Sequence, residues 1–131
     1  MKVILDASCA MEIIFNRGGG GKLKQRIAES DESLAPDLLF PEVVNGVWKA
    51  HHFGGVSLAI CDEALAVLND LTDTLVPAKD LYHEAFVLSR EYQRPAYDMF
   101  YLALAKREDA ILLTLDSKLK KEAKREGIRT A

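Results

Sequence analysis

An α/β fold, a three-layer α/β/α sandwich around a central, mostly parallel sheet of about five strands, is predicted by three observations. Short apolar runs rich in β-branched residues alternate with helix-length segments, residues that cap or break helices fall at the joints, and two of the runs, Val3-Ile4-Leu5 and Ala110-Ile111-Leu112-Leu113-Thr114, are closed by an aspartate, Asp6 and Asp116. Strands that alternate with helices require right-handed crossovers, which place the strands parallel and cover the sheet with helices. In such sheets ligands bind beyond the carboxyl ends of the strands, so Asp6 and Asp116 are expected as neighbours although they are far apart in sequence.

Each element has its own local reason. Val3-Ile4-Leu5 reads as a buried strand, after which Ser8 is placed to cap a helix through Phe15. Gly18 to Gly21 must break that helix, and Lys22 to Glu29 forms a second one with Leu23 and Ile27 at i, i+4. The glycine run is a flexible connection rather than a phosphate loop, because Gly21-Lys22 is followed by Leu23 and not by Ser or Thr. Leu34-Ala35 is a minimal strand, and Asp37 opens a helix toward His52 that Gly54-Gly55 ends. Ser57 caps the next helix, whose Ile60, Ala64, Val67, Leu68 and Leu71 form an apolar stripe. Thr74-Leu75-Val76 is a strand, Asp80 opens a helix to about Gln93, and a very apolar helix runs from near Tyr97 through Lys106 after Pro95. Ala110 to Thr114 is the clearest strand, Ser117 to Arg125 a basic helix, and Gly127-Ile128-Arg129 a short last strand.

The 131 residues suit one domain spanning 1–131, and an apolar fraction of 49% against 28% charged residues lies far from the composition of disordered chains. No apolar run approaches the ~18 residues of a membrane span, and Asp6 interrupts the stretch a signal peptide would keep apolar, which points to the cytoplasm. Cys9 and Cys61 stand in no CxxC arrangement and read as reduced thiols. A net charge of −3 argues against a protein that coats duplex nucleic acid. Lys118, Lys120 and Lys121 are nonetheless clustered on the last helix, either as a solvated face or as contacts to RNA phosphates.

Asp98 is the most informative residue, because Tyr97-Asp98-Met99-Phe100-Tyr101-Leu102-Ala103-Leu104-Ala105 is apolar on nearly every face and a helix of that kind is buried all round. A carboxylate there needs a cation, hydrogen-bond donors or its own proton; a structural Arg partner is the simplest alternative to chemistry. Glu42 shares a polar face with Asn45, Gly46 and Lys49, opposite Val43, Val44, Val47 and Trp48, and solvent exposure accounts for it as well as chemistry does. Were Asp6, Asp98 and Asp116 to converge, repulsion would prevent all three from ionising unless a divalent cation sat among them. Oxygen-only ligands select magnesium or manganese, which polarise a phosphodiester and activate water without a histidine base. His51, His52 and His83 have no metal-ligand spacing, which disfavours zinc. Repulsion also implies that Asp98→Asn should be at least as stable as wild type without metal, unless a protein cation pairs with Asp98.

Val3-Ile4-Leu5-Asp6-Ala7-Ser8, Pro41-Glu42-Val43-Val44-Asn45, the Tyr97 to Ala105 helix and Leu113-Thr114-Leu115-Asp116-Ser117-Lys118-Leu119 together resemble the PIN-domain VapC-like toxins of toxin-antitoxin pairs, across essentially the whole chain. The resemblance implies a Mg2+- or Mn2+-dependent endoribonuclease, homodimeric and inhibited by a cognate antitoxin. It implies that Asp6, Asp98 and Asp116 face the metal and that Glu42 is a fourth acid orienting water, with Ser8, Asn45 and Thr114 in supporting positions. The sequence departs from the family at Gly18 to Gly21 and at Pro41. A receiver domain has similar topology, but Asp6 is followed by Ala7-Ser8 rather than by a second acid, and no Lys ends the strand before Asp116. Ser8 likewise disfavours an Asp-x-Asp phosphatase. A noncatalytic module that keeps the acids without cleaving is the third alternative.

Overall fold

A computed structural model describes residues 1–131. The chain runs β1 (Lys2–Leu5), α1 (Ala7–Ile14), α2 (Gly20–Glu29), β2 (Glu32–Pro36), α3 (Leu39–His52), α4 (Leu58–Leu68), β3 (Thr74–Val76), a 3-10 turn (Ala78–Asp80), α5 (Tyr82–Tyr92), α6 (Ala96–Glu108), β4 (Ile111–Leu113) and α7 (Ser117–Arg125). All strand pairs are parallel, in the order β3-β2-β1-β4. The expected fifth strand shrinks to one parallel bridge, Leu112 with Thr130, held by the Leu112 amide on the Arg129 carbonyl and the Ala131 amide on the Leu112 carbonyl.

The strand order locates the site. The chain steps from β1 to β2 to β3 in one direction and then returns to place β4 on the other side of β1. That reversal lies between β1 and β4, and at such a switch point the connections leaving the two strands diverge and open a crevice. In register, Leu5 faces Leu113, so Asp6 and Thr114 emerge side by side. The Asp6 amide continues the ladder by donating to the Leu113 carbonyl at 3.2 Å.

Helix α6 is the central beam, packed on β1, β2 and β4 and flanked by α5 and α7, while α1 gathers α2, α3 and α4. Met99 and Tyr101 through Ala105 are all buried, each large apolar side chain stabilising the fold by roughly 1.5–3 kcal/mol. The first turn of α6 is different. Tyr97 and the Asp98 side chain, 44% exposed, emerge at the rim, so the helix is not buried all round as its composition implies.

Other joints also differ from expectation. Asp6 rather than Ser8 caps α1, because its carboxylate accepts the Cys9 amide. The α1 helix does end before the glycines, but α2 begins at Gly20 rather than Lys22, where a Cβ would stand 2.8 Å from the Glu12 carbonyl oxygen. Two helices approach too closely there for a side chain. Val44 and Trp48 are about half exposed instead of packed under α3, and Trp48 stacks on His52. Ser57 caps α4 as expected, through the Ile60 amide.

Candidate active site

Asp6 follows β1 directly and Asp116 follows β4 after Thr114 and Leu115, and each is the N-cap of the helix that leaves its strand. The Asp116 carboxylate accepts the Lys118 and Leu119 amides at 2.8 and 3.2 Å. A cap has to present oxygen to free amides at a helix start, so each carboxylate is held at the beginning of its helix, beside the β1/β4 switch point. Ser8 ties the two loops together: its hydroxyl donates to Asp6 at 2.7 Å and accepts the Leu115 amide at 3.0 Å. Thr114, fully buried, accepts the Asp116 amide at 3.1 Å.

Burial is the main reason the Asp6 carboxyl lies above the ordinary aspartate range; Thr114, Cys9 and Ser8 moderate the rise and the charge of Asp98 adds to it. Glu42, in the first turn of α3, accepts a hydrogen bond from the Tyr101 hydroxyl at 2.7 Å. Desolvation raises the Glu42 carboxyl too, the Tyr101 bond lowers it, and the charges of Asp98 and Asp6 raise it further. Three of the four expected acids therefore act on one another through space.

The fourth is joined to Asp98 by a residue the sequence reading missed. The Arg94 guanidinium, 8% exposed, stands 2.7 Å from Asp98, 3.6 Å from Asp116 and 3.3 Å from Glu122. Glu122 is buried on α7, and its Oε1 makes no hydrogen bond. Burial holds its carboxyl above the usual range, against the nearby charges of Arg94 and Lys118. Asp98 thus belongs to two groups: Asp6 and Glu42 on one side, and Asp116 and Glu122 around Arg94 on the other. An arginine is the immediate partner of Asp98, as the structural alternative to chemistry required, and the expected neutral stability of Asp98→Asn gives way to a small loss. Signals for both missed residues exist: Arg94 lies four residues before Asp98, and Glu122 sits between Leu119 and Ala123 on the buried face of α7.

No three Asp, Glu, His or Cys side chains are grouped closely enough to hold a metal ion as they stand. The donor chemistry still fits a hard dication, since the crevice offers carboxylates and hydroxyls without imidazole, and burial holds the neighbouring Cys9 thiol well above its ordinary range, which disfavours a thiolate ligand. Two of the three histidines are engaged elsewhere, His51 on the Val56 carbonyl at 2.7 Å and His52 on Trp48, and His83 stands on α5. Cys9 and Cys61 are free and buried. Asn45 lies one helical turn from Glu42, in a cavity of about 500 Å³ shared with Lys49 and Tyr97. Lys118 and Lys121 are exposed on α7 and Lys120 partly so, with Lys118 just beyond Asp116.

The family model described as PIN domain matches residues 3–125. The chain belongs to the PIN domain family. This PIN domain is 29% identical to Ribonuclease VapC3 of Pyrobaculum aerophilum over 124 residues, which covers 91% of this chain and 92% of that protein. Its fold matches the crystal structure of PAE2754 from Pyrobaculum aerophilum with a TM-score of 0.74 at 20% identity, over 99% of this chain and 89% of that one. A receiver domain is excluded by this membership. The two departures noted in the sequence leave the PIN frame intact: Pro41 lies inside the first turn of α3, where a missing amide costs nothing, and of the glycines Gly18 and Gly19 lie in the α1–α2 turn while Gly20 and Gly21 open α2.

Proposed function

We propose that this PIN domain is a Mg2+- or Mn2+-dependent endoribonuclease acting as the toxin of a toxin-antitoxin pair. The observations that support the reading are Asp6 and Asp116 beyond the ends of the adjacent strands β1 and β4, the charge coupling of Asp6, Glu42 and Asp98, and the single arginine between Asp98 and Asp116. The likeness to Ribonuclease VapC3 supports it.

Asp6, Asp98 and Asp116 would hold the cation, which supplies Lewis-acid polarisation of the phosphodiester and a lowered water pKa. Glu42, steadied by Tyr101, orients the attacking water and takes up its proton. Burial holds the Glu42 carboxyl above the ordinary glutamate range, the direction that makes it a better proton acceptor. Ser8 and Thr114 hold the strand-end acids in place, Asn45 lines the approach to Glu42, and Lys118, Lys120 and Lys121 contact RNA phosphates.

The homodimer and the antitoxin need apolar surface. Exposed Trp48, Phe53, Leu58 and Ile60 on and between α3 and α4, and Tyr82, Phe86 and Val87 on α5, supply it. The site of action is the cytoplasm, where the RNA is; no helix is long and apolar enough to cross a membrane. Arg94 on Asp98 is the observation that favours the noncatalytic alternative.

Induced expression without an antitoxin distinguishes the two readings. Wild type should arrest growth with loss of intact RNA, Asp6→Asn should not, and the product of an adjacent small reading frame should relieve the arrest. Growth unaffected by abundant, folded wild-type protein would establish the noncatalytic reading instead.

A further inference from the structure

Arg94 is placed with unusual care for a surface-loop residue. Its backbone is fixed on both sides: the Arg94 amide donates to the Ser89 carbonyl at 3.1 Å, and its own carbonyl accepts the Ser89 hydroxyl. Gln93 before it adopts the left-handed conformation that ends α5, and Pro95 after it starts α6. The side chain is then delivered into the acidic crevice, where Glu122 stands behind it and Asp98 and Asp116 in front. A guanidinium shared among three carboxylates satisfies none of them fully. The Glu122 Oε1 atom, buried and without a hydrogen bond, marks that shortfall.

We infer that Arg94 is an internal counter-ion of the acidic centre: braced by Glu122, it neutralises Asp98 and Asp116 in the metal-free protein and sets the affinity with which a divalent cation is bound there. This rests on the proposed metal site. In the metal-free protein the carboxylates of the crevice repel one another; Arg94 offsets that repulsion and so stabilises the apo fold. The same positive charge opposes an incoming dication, so metal binds only when its concentration is high enough. Glu122 acts in the opposite sense, because it draws part of the guanidinium's interaction away from the two aspartates. Both are positioning residues rather than catalytic ones.

The test is a titration of the purified full-length protein with Mn2+ alone, followed by electron paramagnetic resonance of the free ion, beside melting curves in EDTA. Arg94→Gln should bind Mn2+ about tenfold more tightly than wild type, the factor expected from a unit charge roughly 6 Å from a dication at close to the dielectric of water. It should also melt at a lower temperature in EDTA. Arg94→Lys keeps the charge and should bind like wild type. Glu122→Gln should bind Mn2+ more weakly, and it carries the test if Arg94→Gln does not fold. Unchanged or weaker binding by Arg94→Gln, or unchanged or tighter binding by Glu122→Gln, would overturn the inference and leave Arg94 a structural brace. Wild type and Arg94→Gln both failing to bind Mn2+ would remove the metal site itself, and the inference with it.

Discussion

Asp6 and Asp116 each do two jobs at once, and substitution can separate them. Asparagine caps a helix about as well as aspartate, while alanine in place of a cap costs about 1 kcal/mol. Asp116→Asn should therefore keep near wild-type stability and Asp116→Ala should lose about 1 kcal/mol in denaturant unfolding, although both remove the carboxylate. Asp6→Asn removes a buried charge but keeps an oxygen for Cys9 and Ser8, so in EDTA at pH 7.5 it should melt at or above wild type. Melting well below wild type would mean that the Asp6 charge is stabilising. Asp98→Asn differs, because it breaks the Arg94 pair; with Asp98 nearly half exposed, the loss should be about 0.5 kcal/mol, measured the same way. Asp6 and Asp116 were legible as candidates because they stand at strand ends, and Asp98 because it interrupts an apolar helix, whereas Glu42 on a polar helix face was singled out only by the family resemblance. The sequence concealed Arg94 and Tyr101, since a cation before a proline and a tyrosine inside an apolar helix look like surface and core until tertiary packing turns them toward a carboxylate.

Among the elements, α7 joins the site to the proposed RNA path. Its buried face, Leu119, Glu122 and Ala123, packs inward and leaves Lys118 and Lys121 exposed. Replacing Lys118, Lys120 and Lys121 with Gln should weaken RNA binding and flatten its salt dependence, the slope falling by about one for each phosphate that is no longer neutralised. An unchanged slope would return these lysines to the role of a solvated face. Element identity was legible wherever caps and periodicity agreed, as at Ser57 and at the β4–α7 joint. It was not legible where close approach between elements decided. Gly20 enters α2 because α1 presses against it, and the last strand is reduced to one bridge at the sheet's edge.

For the whole molecule, the balance of buried acids sets the pH response. Asp6, Glu42 and Glu122 are held above their ordinary values in the fold, chiefly by burial, whereas Glu126 is held below by Lys106 and Tyr92. A carboxyl raised on folding binds more protons folded than unfolded, so stability is fullest below the unfolded pKa and is lost as pH rises through the folded one. The Glu126 contribution has the opposite sign but changes only as pH falls below its unfolded value, outside the range from pH 5 to pH 7.5. The metal-free protein should accordingly melt higher at pH 5 than at pH 7.5, and Asp6→Asn should reduce that difference. Millimolar Mg2+ should restore much of the loss at pH 7.5, since a ligand that binds only the folded state stabilises it by about 2.7 kcal/mol at a hundredfold excess over Kd.

The overall α/β order was readable because a parallel sheet leaves a strong alternating pattern. That Asp6 and Asp116 leave adjacent strands depended on strand order, which the pattern suggests only once β4 is placed beside β1. The most direct measurement of the proposed acidic centre is RNA cleavage by purified wild type and Asp6→Asn, each with millimolar Mg2+ and with EDTA. The account predicts cleavage by wild type with Mg2+ alone and none in the other three reactions. Cleavage by wild type undiminished in EDTA, or by Asp6→Asn at the wild-type rate, would contradict it.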